Sequence, residues 1–190
     1  PTPSPGTQIT QHPSVEDSNN YTRANKERPV FGYLPWTPPH GPHPDGSADP
    51  SIDDFSDRPW SRDDKIYAGM VKMIDRQVGE ILKLIEELQI DEKTVVFFCA
   101  DNGGTRNRQR TFDSNRHLRG QKSDLYEGGL RIPLLVRWPT RIKQGSTSNL
   151  LCYFPDVMPT LAELADATSH LPADIDGISI APTLLGRPEQ

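Results

Sequence analysis

The sequence predicts an α/β fold in which a largely parallel sheet is flanked by helices. Two observations carry this prediction: two short, almost entirely apolar runs, and one long amphipathic helix before the first of them. Strands that are apolar throughout are typical of parallel sheets covered by helices on both faces. Along the chain the predicted elements follow the order strand, helix, strand, strand, helix, which is the pattern of an α/β protein.

The first 60 residues contain little predicted regular structure. Residues 1–28 are polar and rich in Pro, Ser and Asn, so we interpret them as a loop or tail. The run PVFGYLP, residues 29–35, is apolar and closed by proline, which suits a short buried strand. Residues 36–60 are dense in Pro, Gly and Asp, and a loop of that length is usually functional or disordered.

Residues 61–89 form the clearest predicted helix. Ser61, followed three places later by Asp64, resembles a capping box at its start. Apolar side chains recur at three- and four-residue steps and give one apolar stripe; they are Tyr67, Met70, Val71, Ile74, Val78, Ile81, Leu82, Ile85 and Leu88.

Two strands and a short helix are predicted in the second half. TVVFFCA (94–100) and RIPLLVRW (131–138) are the two apolar runs. Residues 156–166, DVMPTLAELAD, predict a helix with Asp156 as its N-cap and Pro159 in its first turn.

The composition is that of a globular protein with much irregular backbone. Of 190 residues, 34% are hydrophobic, 25% are charged and 19 are prolines. The formal net charge of −5 argues against a nucleic-acid partner, which needs a basic excess. No apolar run approaches the roughly 20 residues that cross a bilayer, so we expect no membrane span.

Cys99 lies in an apolar run, which favours an inert buried thiol, while a disulfide with Cys152 stays open.

The acid and amide that follow the first apolar run are the first candidate site. In parallel α/β sheets the carboxyl ends of strands open onto the ligand crevice. Asp101 and Asn102 would deliver two hard oxygen donors there, which suit Ca²⁺ or Mg²⁺. Gly103 and Gly104 would let the backbone turn away from the ligand. The alternative is a simple turn, because Asn-Gly is itself a strong turn signal.

Two further polar residues are candidates for the same crevice. Lys122 precedes an acid-glycine-glycine turn and could supply a cation to an oxyanion; the alternative is a solvated loop lysine. His40 lies just beyond the predicted strand 29–35, where an imidazole could donate a proton to a leaving alcohol near neutral pH. The alternative for His40 is simple exposure to solvent.

Five segments follow one another along the chain: YLPWTPPHGP, the helix YAGMVKMIDRQVGEILKLIEEL with its strand ending in DNGG, GQKSDLYEGGLRIP with RWPTRIKQGS, FPDVMPTLAELAD and DIDGISIAPTLLG. In this order they resemble the type I sulfatases of the alkaline-phosphatase superfamily. The resemblance covers residues 29–187, which would be part of a sulfatase catalytic domain with an alkaline-phosphatase-like, incomplete fold. It implies hydrolysis of aryl or carbohydrate sulfate esters, and a periplasmic or secreted location.

The resemblance also assigns roles to the candidate residues. Asp101 and Asn102 would be ligands of one Ca²⁺, with Mg²⁺ as the alternative ion. Lys122 would contact the sulfate and offset charge near the leaving oxygen, and His40 would contact the sulfate or protonate the departing alcohol. A metal, a lysine and an imidazole all oppose the negative charge that develops on oxygen in sulfate-ester cleavage.

A cluster of arginines lies between the acid pair and Lys122. Its members are Arg106, Arg108, Arg110, Arg116 and Arg119. In an otherwise acidic chain we expect Arg106 and Arg108 to help draw a sulfated small molecule or glycan towards the crevice. The alternative is a solvated loop.

The sequence lacks several parts of a complete sulfatase. The family's nucleophile is a formylglycine made from a Cys/Ser-x-Pro/Ala-x-Arg motif near the N-terminus, and neither Cys99, Cys152 nor any serine supplies that motif here. The aspartate pair that completes the calcium site and the small C-terminal subdomain are also absent. We therefore expect the formylglycine in a missing N-terminal portion, which would be a partner of this chain, and we expect the chain alone to be inactive.

Two other functions stay open on the sequence alone. One is a phosphate or phosphonate ester hydrolase of the same superfamily, in which zinc would be the expected metal. The other is a non-catalytic relic that binds anions or glycans.

Overall fold

The computed structural model describes residues 15–40 and 54–187. Within these residues the elements follow the order α1 (Val15–Asn25), α2 (Arg62–Glu87), β1 (Val96–Cys99), α3 (Arg106–Phe112), α4 (Glu127–Leu130), β2 (Leu134–Arg137), α5 (Val157–Leu164) and α6 (Ala181–Leu184). The chain divides into two compact units. The first comprises Pro1–Ile90 and Ala100–Pro133, and the second comprises Asp91–Cys99 and Leu134–Gln190.

Helix α2 dominates the first unit and confirms the helix expected over 61–89. Ser61 caps it, because its hydroxyl oxygen accepts the Asp64 N–H at 3.1 Å. The apolar stripe buries Met70 and Ile85, together with Leu84. The helix ends where Gln89 adopts a left-handed φ of 58°, which turns the chain out of the helical path.

Helix α1 corrects the prediction of a loop or tail over residues 1–28. Residues Val15–Asn25 are helical, whereas residues 1–14 lie outside the described part. The sequence shows no apolar stripe here, and Val15 is the one buried residue of this helix. An ion pair of 3.4 Å joins Arg23 to Glu87 of α2. The apolar periodicity of residues 15–25 does not predict helix α1, and the structure shows this helix in contact with α2.

The strand expected over residues 29–35 is not formed. This segment is irregular, and no described strand pairs with it. Its aromatic side chains are largely in solvent, with Phe31 75% and Tyr33 76% exposed. An apolar run becomes a strand only where a neighbouring strand accepts its backbone hydrogen bonds, and that information is not in the run itself.

Strands β1 and β2 form within the apolar runs 94–100 and 131–138 and pair with each other in the second unit. Their direction differs from the parallel pairing that the sequence predicts. β1 and β2 run antiparallel, with Val96 opposite Arg137 and Cys99 opposite Leu134. The described residues therefore contain no parallel strand pair, although both strands form where expected. Arg137 is held by Asp91, whose two carboxylate oxygens accept from its guanidinium at 2.6 and 3.2 Å.

Helix α5 confirms the short helix expected over 156–166, but Asp156 is not its side-chain cap. The Asp156 carboxylate instead accepts from the backbone N–H groups of Tyr153 at 3.0 Å and Ile178 at 2.8 Å. The hydroxyl of Thr160 donates to the Asp156 carbonyl at 2.6 Å and accepts from Ile180 N–H at 2.9 Å. These buried polar groups tie α5 to the segment before α6.

Both cysteines are exposed and neither forms a disulfide, which excludes a buried thiol at Cys99 and a Cys99–Cys152 bridge in this structure. Partial burial and the Asp156 carboxylate raise the pKa of the Cys152 thiol, so it is protonated at neutral pH. Among the described helices, none is long and apolar enough to cross a bilayer.

Candidate active site

The turn after β1 carries the predicted metal ligands and is locked by a close backbone approach. Gly103 N–H donates to the carbonyl of Gly129 at 3.0 Å. A Cβ atom on Gly103 would lie 1.9 Å from the Gly128 carbonyl oxygen, a distance that no side chain could tolerate. The φ angle of Gly103 is not positive, so glycine is required here because of packing rather than backbone conformation.

Asp101 and Asn102 present oxygen atoms that suit a hard cation. Asp101 is exposed and Asn102 is half-buried. The Asn102 amide nitrogen donates to the Gly103 carbonyl at 3.0 Å, which leaves Oδ1 as the free end of the amide. Within residues 15–40 and 54–187, neither this oxygen nor the Asp101 carboxylate has a hydrogen-bond or ion-pair partner. Free carboxylate and amide oxygens fit Ca²⁺ or Mg²⁺.

These two residues can form only part of a metal site. Ca²⁺ takes six to eight oxygen ligands. The described residues contain no group of three or more His, Cys, Asp or Glu side chains that could hold a metal ion. A site with three or more such side chains would therefore need at least one from outside the described residues.

The loop of Lys122 lies against the same turn. Lys122 N–H donates to the Gly104 carbonyl at 3.0 Å, two residues beyond Asn102. The side chain is half-buried, and among the described residues its ammonium has no ion-pair partner. The structure therefore brings the backbone of Lys122 next to the turn that carries Asp101 and Asn102.

A tight turn presents Lys122. Asp124 N–H donates to the Gln121 carbonyl at 2.9 Å, and the Asp124 carboxylate accepts from Gln121 N–H at 3.1 Å. Ser123, which follows Lys122, has a φ of 76°, a conformation that is costly for a residue other than glycine or asparagine. Such backbone outliers persist only where the surroundings fix them, and they occur often at functional sites.

Helix α4 packs closely against the backbone of the loop that carries Lys122. Gly128 N–H donates to the Arg119 carbonyl at 2.7 Å. A Cβ on Gly128 would lie 2.2 Å from the Gly120 carbonyl oxygen, and one on Gly129 would lie 2.2 Å from that of Asp124. The two glycines of EGGL are therefore needed because three backbone segments meet at this point.

Asn115 is the site residue that sequence reasoning missed. It is 7% exposed and makes hydrogen bonds to both Gly104 and Gly120, which belong to the two loops described above. No periodicity or motif distinguishes it from the other asparagines of the chain. Its burial depends on how the loops approach each other, which the sequence does not display.

His40 is exposed, and its described contact is through the backbone. Its N–H donates to the Thr37 carbonyl at 3.0 Å, which closes a turn. No described contact joins its ring to Asp101, Asn102 or Lys122. The segment that follows, residues 41–53, lies outside the described part.

The two arginines expected to bind substrate have different surroundings. Arg106 lines an open hollow of about 300 Å³ together with Asn115, Gly120, Gln121 and Asp124. Arg108 is instead paired with Asp64 of α2, at 2.6 Å between Nη1 and Oδ1. The guanidinium of Arg108 is thus already neutralised inside the protein, whereas Arg106 is one of the residues that line the hollow beside the Lys122 turn.

The Arg108 ion pair belongs to a cluster that fixes α3 on α2. Thr111 also donates to the Asp64 carboxylate, at 2.8 Å, and Arg108 stacks 4.8 Å from the ring of Tyr67. Burial raises the pKa of Asp64, but hydrogen bonds from Thr111, Arg108 and Ser61 and the charge of Arg108 outweigh it, so that this pKa lies below its usual value. Asp64 is therefore ionised at neutral pH and holds the arginine segment in place.

The chain is similar to sulfatases in sequence and in structure. The Sulfatase family model matches residues 8–167. Steryl-sulfatase of Mus musculus is 35% identical over 180 residues, which are 90% of this chain and 27% of that protein. A sulfatase structure described with glycosaminoglycan metabolism by Bacteroides thetaiotaomicron has a TM-score of 0.75 at 26% identity, covering 93% of this chain and 39% of that one.

A third relative contains a ligand. The structure of a protein named BT4656, in complex with its substrate D-glucosamine-2-N,6-O-disulfate, has a TM-score of 0.55 at 28% identity, covering 68% of this chain and 25% of that one. The chain thus spans between a quarter and two fifths of the length of these relatives. The neighbours have the alkaline-phosphatase-like α/β fold, which confirms the predicted α/β fold class, although the strand pair described in this chain is antiparallel. The family-model match covers most of the sequence, and on that basis the chain belongs to the sulfatase family.

Proposed function

We propose that this chain is part of an enzyme that hydrolyses sulfate esters, and that it supplies two calcium ligands and one sulfate-binding cation. The observation that supports this most is the hydrogen bond from Lys122 N–H to the Gly104 carbonyl. It joins the loop of the half-buried residue Lys122 to the turn that carries the oxygen atoms of Asp101 and Asn102. Membership of the sulfatase family also supports a site in which a metal cation and a lysine bind the same sulfate group.

In this proposal Asp101 and Asn102 bind the cation through their free oxygens. A bound Ca²⁺ would neutralise charge on the sulfate oxygens. Lys122 binds the sulfate and opposes the negative charge that develops on the departing oxygen. His40 donates a proton to that oxygen, so that the alcohol leaves in its neutral form. The nucleophile, a formylglycine, is proposed to lie in a portion of the protein outside this sequence.

We propose a sulfated small molecule or glycan as the substrate. Arg106 supports this, because it lines an open hollow next to the Lys122 turn and has no ion-pair partner among the described residues. The relative that binds a disulfated glucosamine supports the same class of substrate. Arg108 has a lesser part in this proposal, because Asp64 already neutralises it.

We further propose that the rest of the sulfatase domain packs on this chain. Large apolar side chains of the second unit are exposed, among them Leu135 of β2, at 62%, and Leu151, at 92%. Exposed apolar surface of this kind marks a contact with another segment or protein. A periplasmic or secreted location is proposed from the family resemblance alone.

The test compares variants of the complete translation product of the gene in the hydrolysis of 4-nitrophenyl sulfate. Asp101→Ala and Lys122→Ala should each lower kcat/KM at least about 100-fold, as expected for loss of one group that stabilises developing charge. The matched control is Asp174→Ala, which alters an exposed aspartate in the second unit. Residues 1–190 alone should show no turnover. Wild-type activity in Asp101→Ala, or hydrolysis of phosphate esters only, would contradict the proposal.

A further inference from the structure

A single buried side chain joins the two loops of the candidate site. Asn115 Oδ1 accepts Gly104 N–H at 2.8 Å, while Asn115 Nδ2 donates to the carbonyls of Gly104 at 3.0 Å and Gly120 at 3.1 Å. Gly104 follows the proposed metal ligands by two residues, and Gly120 precedes Lys122 by two. Asn115 therefore spans the gap between the metal-ligand turn and the lysine loop.

The chemistry of these contacts requires an amide. A backbone N–H can only donate and a carbonyl can only accept, so Oδ1 must face Gly104 N–H and Nδ2 must face the two carbonyls. An aspartate at this position could keep the first contact but would present an oxygen to both carbonyls. An alanine would remove the Asn115 partner of Gly104 N–H and of the Gly120 carbonyl, each at a cost of about 1–3 kcal/mol, whereas the Gly104 carbonyl would keep its bond from Lys122 N–H.

The neighbours of Gly104 leave no room for a side chain at this position. A Cβ atom on Gly104 would lie 2.6 Å from the Cβ of Ser114 and 2.9 Å from Asn115 Oδ1. Gly104 is thus required so that the Asn115 amide can reach the backbone on both sides of the turn. The Gly104 carbonyl accepts from both Asn115 Nδ2 and Lys122 N–H, so that the same oxygen links all three segments.

We propose that Asn115 is a positioning residue that sets the separation between the Asp101–Asn102 oxygens and the Lys122 ammonium. It acts through the Gly104 and Gly120 backbone and not by contact with the substrate. This inference rests on the proposed function, because the separation matters only if a cation and a sulfate bind there together. Displacement of a charged group by about 1 Å can lower a catalytic rate about 100-fold.

The test uses the complete translation product with three variants. Asn115→Asp preserves size but loses both donations, Asn115→Ala removes the whole link, and Thr160→Val is the control. Thr160 is fully buried and makes two hydrogen bonds, but it lies in the second unit. For each variant we would measure thermal unfolding, kcat and KM with 4-nitrophenyl sulfate, and hydrogen exchange of peptides covering 101–106 and 119–125.

The expected result is a divergence between the site variants and the control. Both Asn115 variants should accelerate exchange in the two peptides and lower kcat at least 10-fold, with a smaller change in KM. Thr160→Val should lower the unfolding temperature by a similar amount while exchange in these peptides and kcat stay near wild type. If Asn115→Asp and Thr160→Val lower kcat equally at equal loss of stability, Asn115 is only structural and the proposal is wrong.

The exchange measurement separates this inference from the proposed function. If the wild-type protein hydrolyses no sulfate ester, the proposed function fails, but faster exchange in both peptides of the Asn115 variants would still support the link between the loops. Unchanged exchange in either peptide would overturn the link, whatever the activity.

Discussion

At the scale of single residues, Gly103 and Gly104 are explained by close contacts and not by a positive φ angle. The sequence predicts that Gly103 and Gly104 let the backbone turn away from the ligand. The structure gives another reason, since Gly103 lies against the Gly128 carbonyl and Gly104 makes room for Asn115. Asp101, Asn102 and Lys122 could be selected from the sequence because charge and motif identify them. Asn115 could not be, because its burial arises only when three loops meet.

A substitution at Gly103 tests this packing. Gly103→Ala would place a methyl group 1.9 Å from the Gly128 carbonyl oxygen, so we expect a loss of about 2 kcal/mol in the free energy of unfolding. Chemical denaturation measures the change. The control is Gly79→Ala on the exposed side of α2, where a Cβ meets nothing within 4 Å. That variant should gain about 0.5–1 kcal/mol from helix propensity. Equal stability of Gly103→Ala and wild type would show that the close approach is wrong.

At the scale of elements, the sequence predicts a helix far better than a strand pairing. The stripe of α2 repeats over seven turns, so its existence and its Ser61 cap follow from periodicity alone. The apolar runs of β1 and β2 mark strands, but a run contains no information on the direction of its partner, and the observed pair is antiparallel. The sequence does not predict helix α1, because its one buried residue, Val15, does not make an apolar stripe.

The attachment of α3 to α2 should depend on pH through Asp64. Because the pKa of Asp64 is lowered in the folded protein, its stabilising effect is present above the unfolded-state pKa of about 4 and is lost as the pH falls through the folded-state pKa. Asp64→Asn should therefore reduce the free energy of unfolding by about 2 kcal/mol at pH 7 and by less near pH 3.

Denaturant titrations at pH 7, 5 and 3 would measure this difference. Asp75→Asn is a matched control, since Asp75 is an exposed aspartate of the same helix. A difference between wild type and Asp64→Asn that stays constant from pH 7 to pH 3, or that grows on acidification, would contradict the assignment.

At the scale of the whole molecule, the order of the segments carries more information than any one of them. Five segments in sequence identify the family, and the comparisons confirm it over residues 8–167. The interlocked turns explain why glycine-rich segments so far apart in the sequence, at 103–104 and 128–129, belong to one site. The described residues supply two oxygen donors and one lysine but not a complete metal site, so the proposed chemistry needs further groups.

Calcium binding by the complete translation product tests the central claim most directly. After treatment with a chelator, calorimetric titration should give one Ca²⁺ per molecule for wild type and for Asp174→Ala. Binding should be at least 10-fold weaker for Asp101→Ala and for Asn102→Ala, because each variant removes one oxygen ligand. Unaltered affinity in both variants, or a wild-type protein that binds no Ca²⁺ at millimolar concentration, would contradict the assignment of these two residues as metal ligands.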